Sequence, residues 1–346
     1  MIQQPKLEIA KNINVSKVKD NSYVYRIFHI FDYVAILRPI LLIPVWTMTL
    51  MGYYRAIRND LSSQISIPFF DDIGFVVVPH SEILITLLLY SLLMGAVYIL
   101  NQLTDSNADG INGKLYLIPY GHLKKGQMKS QIIILFLVSI SISFLYLPIT
   151  CSILILFSAI MGIAYSVPPI RLKGKPIIDL FANALGFGIV AFSVGWSSKS
   201  NLSINSLLDS IPYFLCVSSA FINTTIPDME GDLRNGDMTT GIYLGIKKSC
   251  LLSTMILILV ILASLYRRDI VPLIASAVSL PFFIYMTISN LGDKINIKTI
   301  SLATKISVLT LSLLVSFLIP TYFVILMLTI IFVRIYYRIR FRVNYP

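Results

Sequence analysis

The chain has 346 residues, length enough for two soluble domains, yet 56% of them are hydrophobic and only 13% charged, with a mean hydropathy of +0.79. That composition excludes an ordinary soluble protein and points to a polytopic membrane protein. The formal charge of +11 does not imply a nucleic-acid partner, because the Lys and Arg residues lie in short loops between apolar runs rather than on one soluble basic face.

The first 25 residues are polar and lack the short apolar core and small-residue cleavage site of a secretory signal. Residues 1–30 are therefore expected to form a polar cytoplasmic segment, and 31–346 a single transmembrane domain. Apolar runs follow near 34–54, 82–103, 131–148, 151–167, 178–197, 208–226, 249–266 and 271–290. Each is close to the roughly 20 residues a helix needs to cross a bilayer. A last apolar region, 300–336, would be roughly 50 Å long as one helix, against a hydrocarbon core of about 30 Å. Pro320 is expected to divide it into a hairpin of 301–318 and 321–338; one long span with an interfacial tail is the alternative. The expected fold class is all-α, a polytopic transmembrane helical bundle of nine or ten helices, with a cytoplasm-facing polar site and a central apolar cavity.

Charge sets the orientation. With the N-terminus inside, the loops after the even-numbered spans carry twelve basic residues, among them Lys124, Lys125, Arg171, Lys173, Lys175 and Arg234. The opposite loops carry five, Arg55, Arg58, Lys199, Arg267 and Arg268. This asymmetry follows the positive-inside rule. Arg334, Arg338, Arg340 and Arg342 fall on the same side only if the number of crossings is even, which favours ten. The expected location is the cell (plasma) membrane, with the polar site facing the cytoplasm. Cys151, Cys216 and Cys250 lack metal-ligand spacing and lie in or beside apolar runs, so they read as packing residues.

Chemistry concentrates where even-numbered spans end. Asn101, Asp105 and Asp109 are spaced i, i+4 and i+8, which on a continuous helix places three oxygen-bearing side chains on one face. Asp228 and Asp232 repeat the i, i+4 step. Like charges at that spacing repel, and nearby lipid makes each costlier. A hard cation relieves both penalties, and carboxylate and amide oxygens without His or Cys suit Mg²⁺, which bridges to phosphate oxygens. The pattern therefore suggests two half-clamps for a Mg²⁺-diphosphate. Tyr165-Ser-Val-Pro-Pro-Ile-Arg171-Leu-Lys173-Gly-Lys175 lies between them in sequence. Pro168 and Pro169 end the helix, and Arg171 and Lys173 supply groups that grip phosphate. Lys175 reads equally as a membrane anchor. Arg38, within an apolar segment before Pro39, is a functional candidate or a snorkelling side chain. Phe181, Phe187, Phe192 and Trp196 could line a cavity.

At these residues the chain resembles the UbiA superfamily of intramembrane prenyltransferases. Asn101-x-x-x-Asp105-x-x-x-Asp109 and Asp228-Met-Glu-Gly-Asp232 are similar to its two acidic motifs. Arg38-Pro39 and Tyr165-Ser-Val-Pro-Pro-Ile-Arg-Leu-Lys173 look like two further family segments. Gly110 and Leu233 stand where many members place a basic residue, and Ile118-Pro119 replaces a usual Arg-Pro. The resemblance implies Mg²⁺-dependent prenyl transfer from a polyprenyl diphosphate to a lipophilic acceptor, aromatic, quinone-precursor or other, through an allylic carbocation. It implies Asp105, Asp109, Asp228 and Asp232 as catalytic residues, these with Asn101 as Mg²⁺ ligands, and Arg38, Asn101, Tyr165, Arg171 and Lys173 as substrate-binding. Membrane lipid is an expected partner; nucleic acid and an obligate protein partner are not. A terpene cyclase of the same superfamily and a secondary transporter are the alternative readings.

Overall fold

The structure is a computed structural model in which residues 28–61, 64–106, 117–118, 121–292, 294–343 and 345 are described. Ten long helical segments make the bundle: α1 Pro39–Ile57, α2 Ser81–Thr104, α3 Lys125–Tyr146, α4 Ile149–Ser166, α5 Ile178–Ser197, α6 Ile204–Thr225, α7 Thr240–Tyr266, α8 Ile270–Ser289, α9 Ile297–Leu318 and α10 Pro320–Phe341. Among the described residues, nine of these are long and apolar enough to cross a membrane. The tenth, α6, has 22 residues but carries Asn205, Asp209, Asn223 and a series of serines. Asp209, Asn223 and the buried serines turn inward, where α6 packs against α5, α7 and α9, while Asn205 is exposed.

Several boundaries differ from the apolar runs, for local reasons. The first run was expected to begin at 34, but Pro39 favours the first position of a helix and keeps the residue before it out of the α region. Residues Asp32–Ala35 form a separate short turn, and Arg38 has left-handed backbone geometry with φ 53°. Helix α7 begins nine residues before the run at 249, with Gly245 kinking it at φ 73°. Ser203 and Ser206 cap the start of α6 reciprocally. Pro320 opens α10, so the final apolar region is two helices and not one long span.

The two ends of the bundle are chemically distinct. At one end Arg55 of α1 binds Asp71 of the α1–α2 loop at 2.8 Å and Asp209 of α6 at 2.9 Å. Arg267 also binds Asp209, and Tyr213 donates to Asp269 at 2.8 Å. A two-stranded ribbon, β1 Gln64–Ile65 and β2 Ile73–Gly74, belongs to this end. So does the α9–α10 junction, where Val76 N–H donates to the Leu318 carbonyl. At the opposite end α10 finishes beside the entry to α1: Arg340 grips fully buried Asp32 through Nε at 3.0 Å and Nη2 at 2.8 Å. The Tyr336 hydroxyl donates to the same carboxylate. Both ends of the described chain therefore lie on one side of the bundle, as an even number of crossings requires.

Helices α1 and α5 touch backbone to backbone. A methyl added at Gly52 would lie 1.8 Å from the Phe192 carbonyl oxygen, and one at Gly195 1.7 Å from that of Thr49. Such small-residue contacts let helices pack closely where lipid supplies no hydrophobic drive between them. Behind this contact, Tyr53, Tyr90, Phe192 and Tyr213 fill the core.

Candidate active site

Helices α2, α4 and α6 all end on the side where α1 begins, and this brings the sequence motifs together. Helix α2 stops at Thr104, with Asp105 as its C-cap. The continuous i, i+4, i+8 face is thus not formed over the described residues, and Asp109 lies outside them. Asn101 Nδ2 donates to Asp105 Oδ2 at 3.0 Å and approaches Ser166 Oγ at 3.4 Å. The second acidic pair is also not on one uniform helix. Ile226–Asp228 is a 3-10 turn, and Asp228 caps the short helix Met229–Arg234 that carries Asp232. Glu230 turns outward to Arg234.

The α4–α5 loop threads between the acidic motifs. Arg171, in left-handed geometry with φ 35°, donates from Nη2 to Asp105 Oδ1 at 2.8 Å. The same guanidinium grips Asp237 in a bidentate manner, at 2.7 and 2.6 Å. Lys173 Nζ bridges Asp105 Oδ2 at 2.6 Å and Asp232 Oδ1 at 3.1 Å. Burial opposes the Lys173 charge, but the two carboxylates outweigh it and hold the ammonium above its ordinary pKa. Arg171 is raised by its hydrogen bond to Asp237. Asp232 is raised by burial, against the pull of Lys173. Asp237 is also buried, but Arg171 prevails and keeps its pKa below the usual carboxylate value.

Asp105, Lys173 and Asp232 stand at the mouth of a cavity of about 470 Å³, which Arg171 and Asp237 do not line. Arg38, Asn101, Asp105, Lys173, Asp228 and Asp232 line its polar end, while Met48, Met94, Phe187 and Leu311 line its apolar depth. Tyr165 lies between. Of the four rings expected at a cavity wall, only Phe187 lines it; Phe192 is core and Phe181 is largely exposed. Arg38 reaches the mouth because the chain breaks before α1, and among the described residues its side chain has no carboxylate partner. Lys175, Lys124 and Lys125 are exposed and away from the mouth.

Three residues of the site were not singled out from sequence. Asp237 is the main partner of Arg171, only five residues beyond Asp232. Asp179 is fully buried at the start of α5 and accepts from Thr240 N–H at 2.8 Å and from its hydroxyl, pinning α7 to α5. A lone acid in an apolar run is a signal that could have found it. Thr239 lines the mouth, and its hydroxyl has no partner among the described residues.

The donors fit a hard divalent cation, being carboxylate and amide oxygens only. Among the described residues, however, no group of three His, Cys, Asp or Glu side chains stands close enough to hold a metal by itself. Further oxygens must come from elsewhere, as Mg²⁺ sites commonly obtain them from water and phosphate.

Fold and site together define an integral multi-pass helical protein, with a mixed acidic and basic mouth above an apolar cavity. A profile of the UbiA prenyltransferase family matches residues 74–294. Digeranylgeranylglyceryl phosphate synthase of Sulfurisphaera tokodaii is 27% identical over 229 residues, 63% of this chain and 78% of that protein. The Methanosarcina mazei enzyme of the same name is 28% identical over 241 residues, 68% and 76% of the two chains. A UbiA homolog from Archaeoglobus fulgidus, bound to DMAPP and Mg²⁺, superposes with a TM-score of 0.59 at 17% identity, covering 82% of this chain and 99% of the other. The chain belongs to the UbiA prenyltransferase family. It is a prenyltransferase, which sets the transporter reading aside.

Proposed function

We propose that the protein transfers a prenyl group from a polyprenyl diphosphate to a lipophilic acceptor, with Mg²⁺ as cofactor. The observation that carries this reading is the convergence of Asn101, Asp105, Asp228 and Asp232 with Arg38 and Lys173 at the mouth of one apolar cavity, with Arg171 paired to Asp105. Breaking an allylic carbon–oxygen bond separates a diphosphate anion from a delocalised cation. Catalysis then needs positive charge at the leaving group and a dry site for the cation. Mg²⁺, held by Asn101, Asp105, Asp228 and Asp232 with Asp109 of the same motif, would supply leaving-group stabilisation. Arg38, Arg171 and Lys173 would bind the remaining diphosphate oxygens. Met94, Phe187 and Leu311 would shield the prenyl chain from water, and Tyr165, which also lines the cavity, would offer its ring to the developing cation.

The acceptor is the finer question. The relatives from Sulfurisphaera tokodaii and Methanosarcina mazei are digeranylgeranylglyceryl phosphate synthases, so a lipid-linked glycerol phosphate is the first acceptor to try. The excess of basic residues in the loops on the site's side supports a cytoplasmic orientation in the cell membrane. Purified protein given geranylgeranyl diphosphate, Mg²⁺ and geranylgeranylglyceryl phosphate should release diphosphate and yield the doubly prenylated lipid by mass. A cyclic hydrocarbon formed without acceptor would overturn this in favour of cyclisation.

A further inference from the structure

Lys173 stands between the two acidic half-clamps rather than beside them. Its Nζ touches Asp105 from the first motif at 2.6 Å and Asp232 from the second at 3.1 Å, joining positions 127 residues apart in sequence. The second oxygen of Asp105 is taken by Arg171. Asp105 and Asp232, one proposed metal ligand from each motif, are thus already paired with the protein's own cations. A divalent cation entering alone would meet both an occupied Asp105 and the repulsion of an ammonium between its ligands. Diphosphate changes that balance, since its oxygens offer Lys173 and Arg171 other partners and complete the metal's ligand set.

The two cations are not equivalent. Arg171 is tied down at four points, by Asp105, by both oxygens of Asp237 and by the Ser166 carbonyl. Among the described residues Lys173 is held only by the two clamp carboxylates, and it hangs on a flexible four-carbon stem.

Resting on the functional reading above, we propose that Lys173 is an exchangeable counter-ion of the clamp. It holds the two motifs together before substrate arrives and moves to diphosphate oxygens when metal and donor bind. Metal binding is thereby made conditional on the donor. Uncoupled metal occupancy, and with it ionisation of a misplaced substrate, is suppressed.

The test is Mn²⁺ binding to the purified full-length protein by electron paramagnetic resonance. It is measured with and without inorganic pyrophosphate and corrected for the Mn²⁺–pyrophosphate complex in solution. In the unmodified protein pyrophosphate should tighten Mn²⁺ binding by about tenfold or more, within the usual range of coupling between sites. Lys173→Met should bind Mn²⁺ about tenfold more tightly than the unmodified protein without pyrophosphate, with most of the coupling lost. Lys173→Arg, which keeps the charge, should retain weak binding in the absence of pyrophosphate. Equal or weaker Mn²⁺ binding by Lys173→Met, or no coupling in the unmodified protein, would overturn the proposal. If Lys173→Met does not fold, the coupling in the unmodified protein and the behaviour of Lys173→Arg still decide it. Absence of Mn²⁺ binding under every condition would instead sink the clamp itself.

Discussion

At the mouth of the cavity, neighbouring residues of the same charge do different work. Lys173 faces the clamp and Lys175, two positions on, faces outward. Lys175→Ala should therefore change turnover by less than about tenfold, as a surface anchor would. Asp105→Asn or Asp232→Asn should lower it by about 100-fold or more, the scale of losing a principal electrostatic contact in the transition state. Steady-state assays on membranes with matched expression check both. Asp237 offers a pH test. Its folded pKa lies below the ordinary 3.8, so the stabilisation it gives Arg171 is complete above that value and is lost as pH falls through the depressed one. Asp237→Asn should lower the melting temperature at neutral pH, by a loss of about 2 kcal/mol. It should also flatten the fall in melting temperature below pH 4. A variant that tracks the unmodified protein at both pH values would refute the pair's role.

Helices in this bundle are placed by a few contacts that hydropathy does not record. The close approach of α1 and α5 leaves no room for a side chain at Gly195, and Gly195→Val should cost about 1–3 kcal/mol by overpacking. Thermal unfolding in detergent reads this directly. The lock of Asp32 by Arg340 and Tyr336 fixes α10 to the segment that carries Arg38. Asp32→Ala should destabilise by about 3–5 kcal/mol, because it removes the buried carboxylate that Arg340 and Tyr336 share. The core positions of the spans were legible in the sequence, since long apolar runs leave little alternative to helices in lipid. Their ends were less so. Lys247 and Lys248 mask the first turns of α7, and Arg38 reads as part of an apolar run although Pro39 removes it from the helix. The two acidic motifs and the Arg171–Lys173 loop were legible because residue type and spacing carry their chemistry. The pairings of Asp179 and Asp237 were not, because their partners are 61 and 66 residues away and only the fold brings them together.

Across the whole molecule, polarity divides the bundle into a sealed end and an open one. The far end is closed by a charge-paired set around Arg55, Asp209 and Asp269. The near end gathers the mouth of the cavity and both ends of the described chain. That arrangement suits a substrate whose charged head stays at the membrane surface and whose apolar tail enters the helices. The central claim is that this mouth ionises a prenyl diphosphate for transfer, and the most direct measurement is single-turnover product analysis with geranylgeranyl diphosphate. Unmodified protein and Asp232→Asn are compared, each with and without Mg²⁺ and geranylgeranylglyceryl phosphate. Prenylated acceptor and stoichiometric diphosphate should form only in the unmodified protein with all components present. Equal product from Asp232→Asn, or diphosphate release without any need for Mg²⁺, would contradict the account.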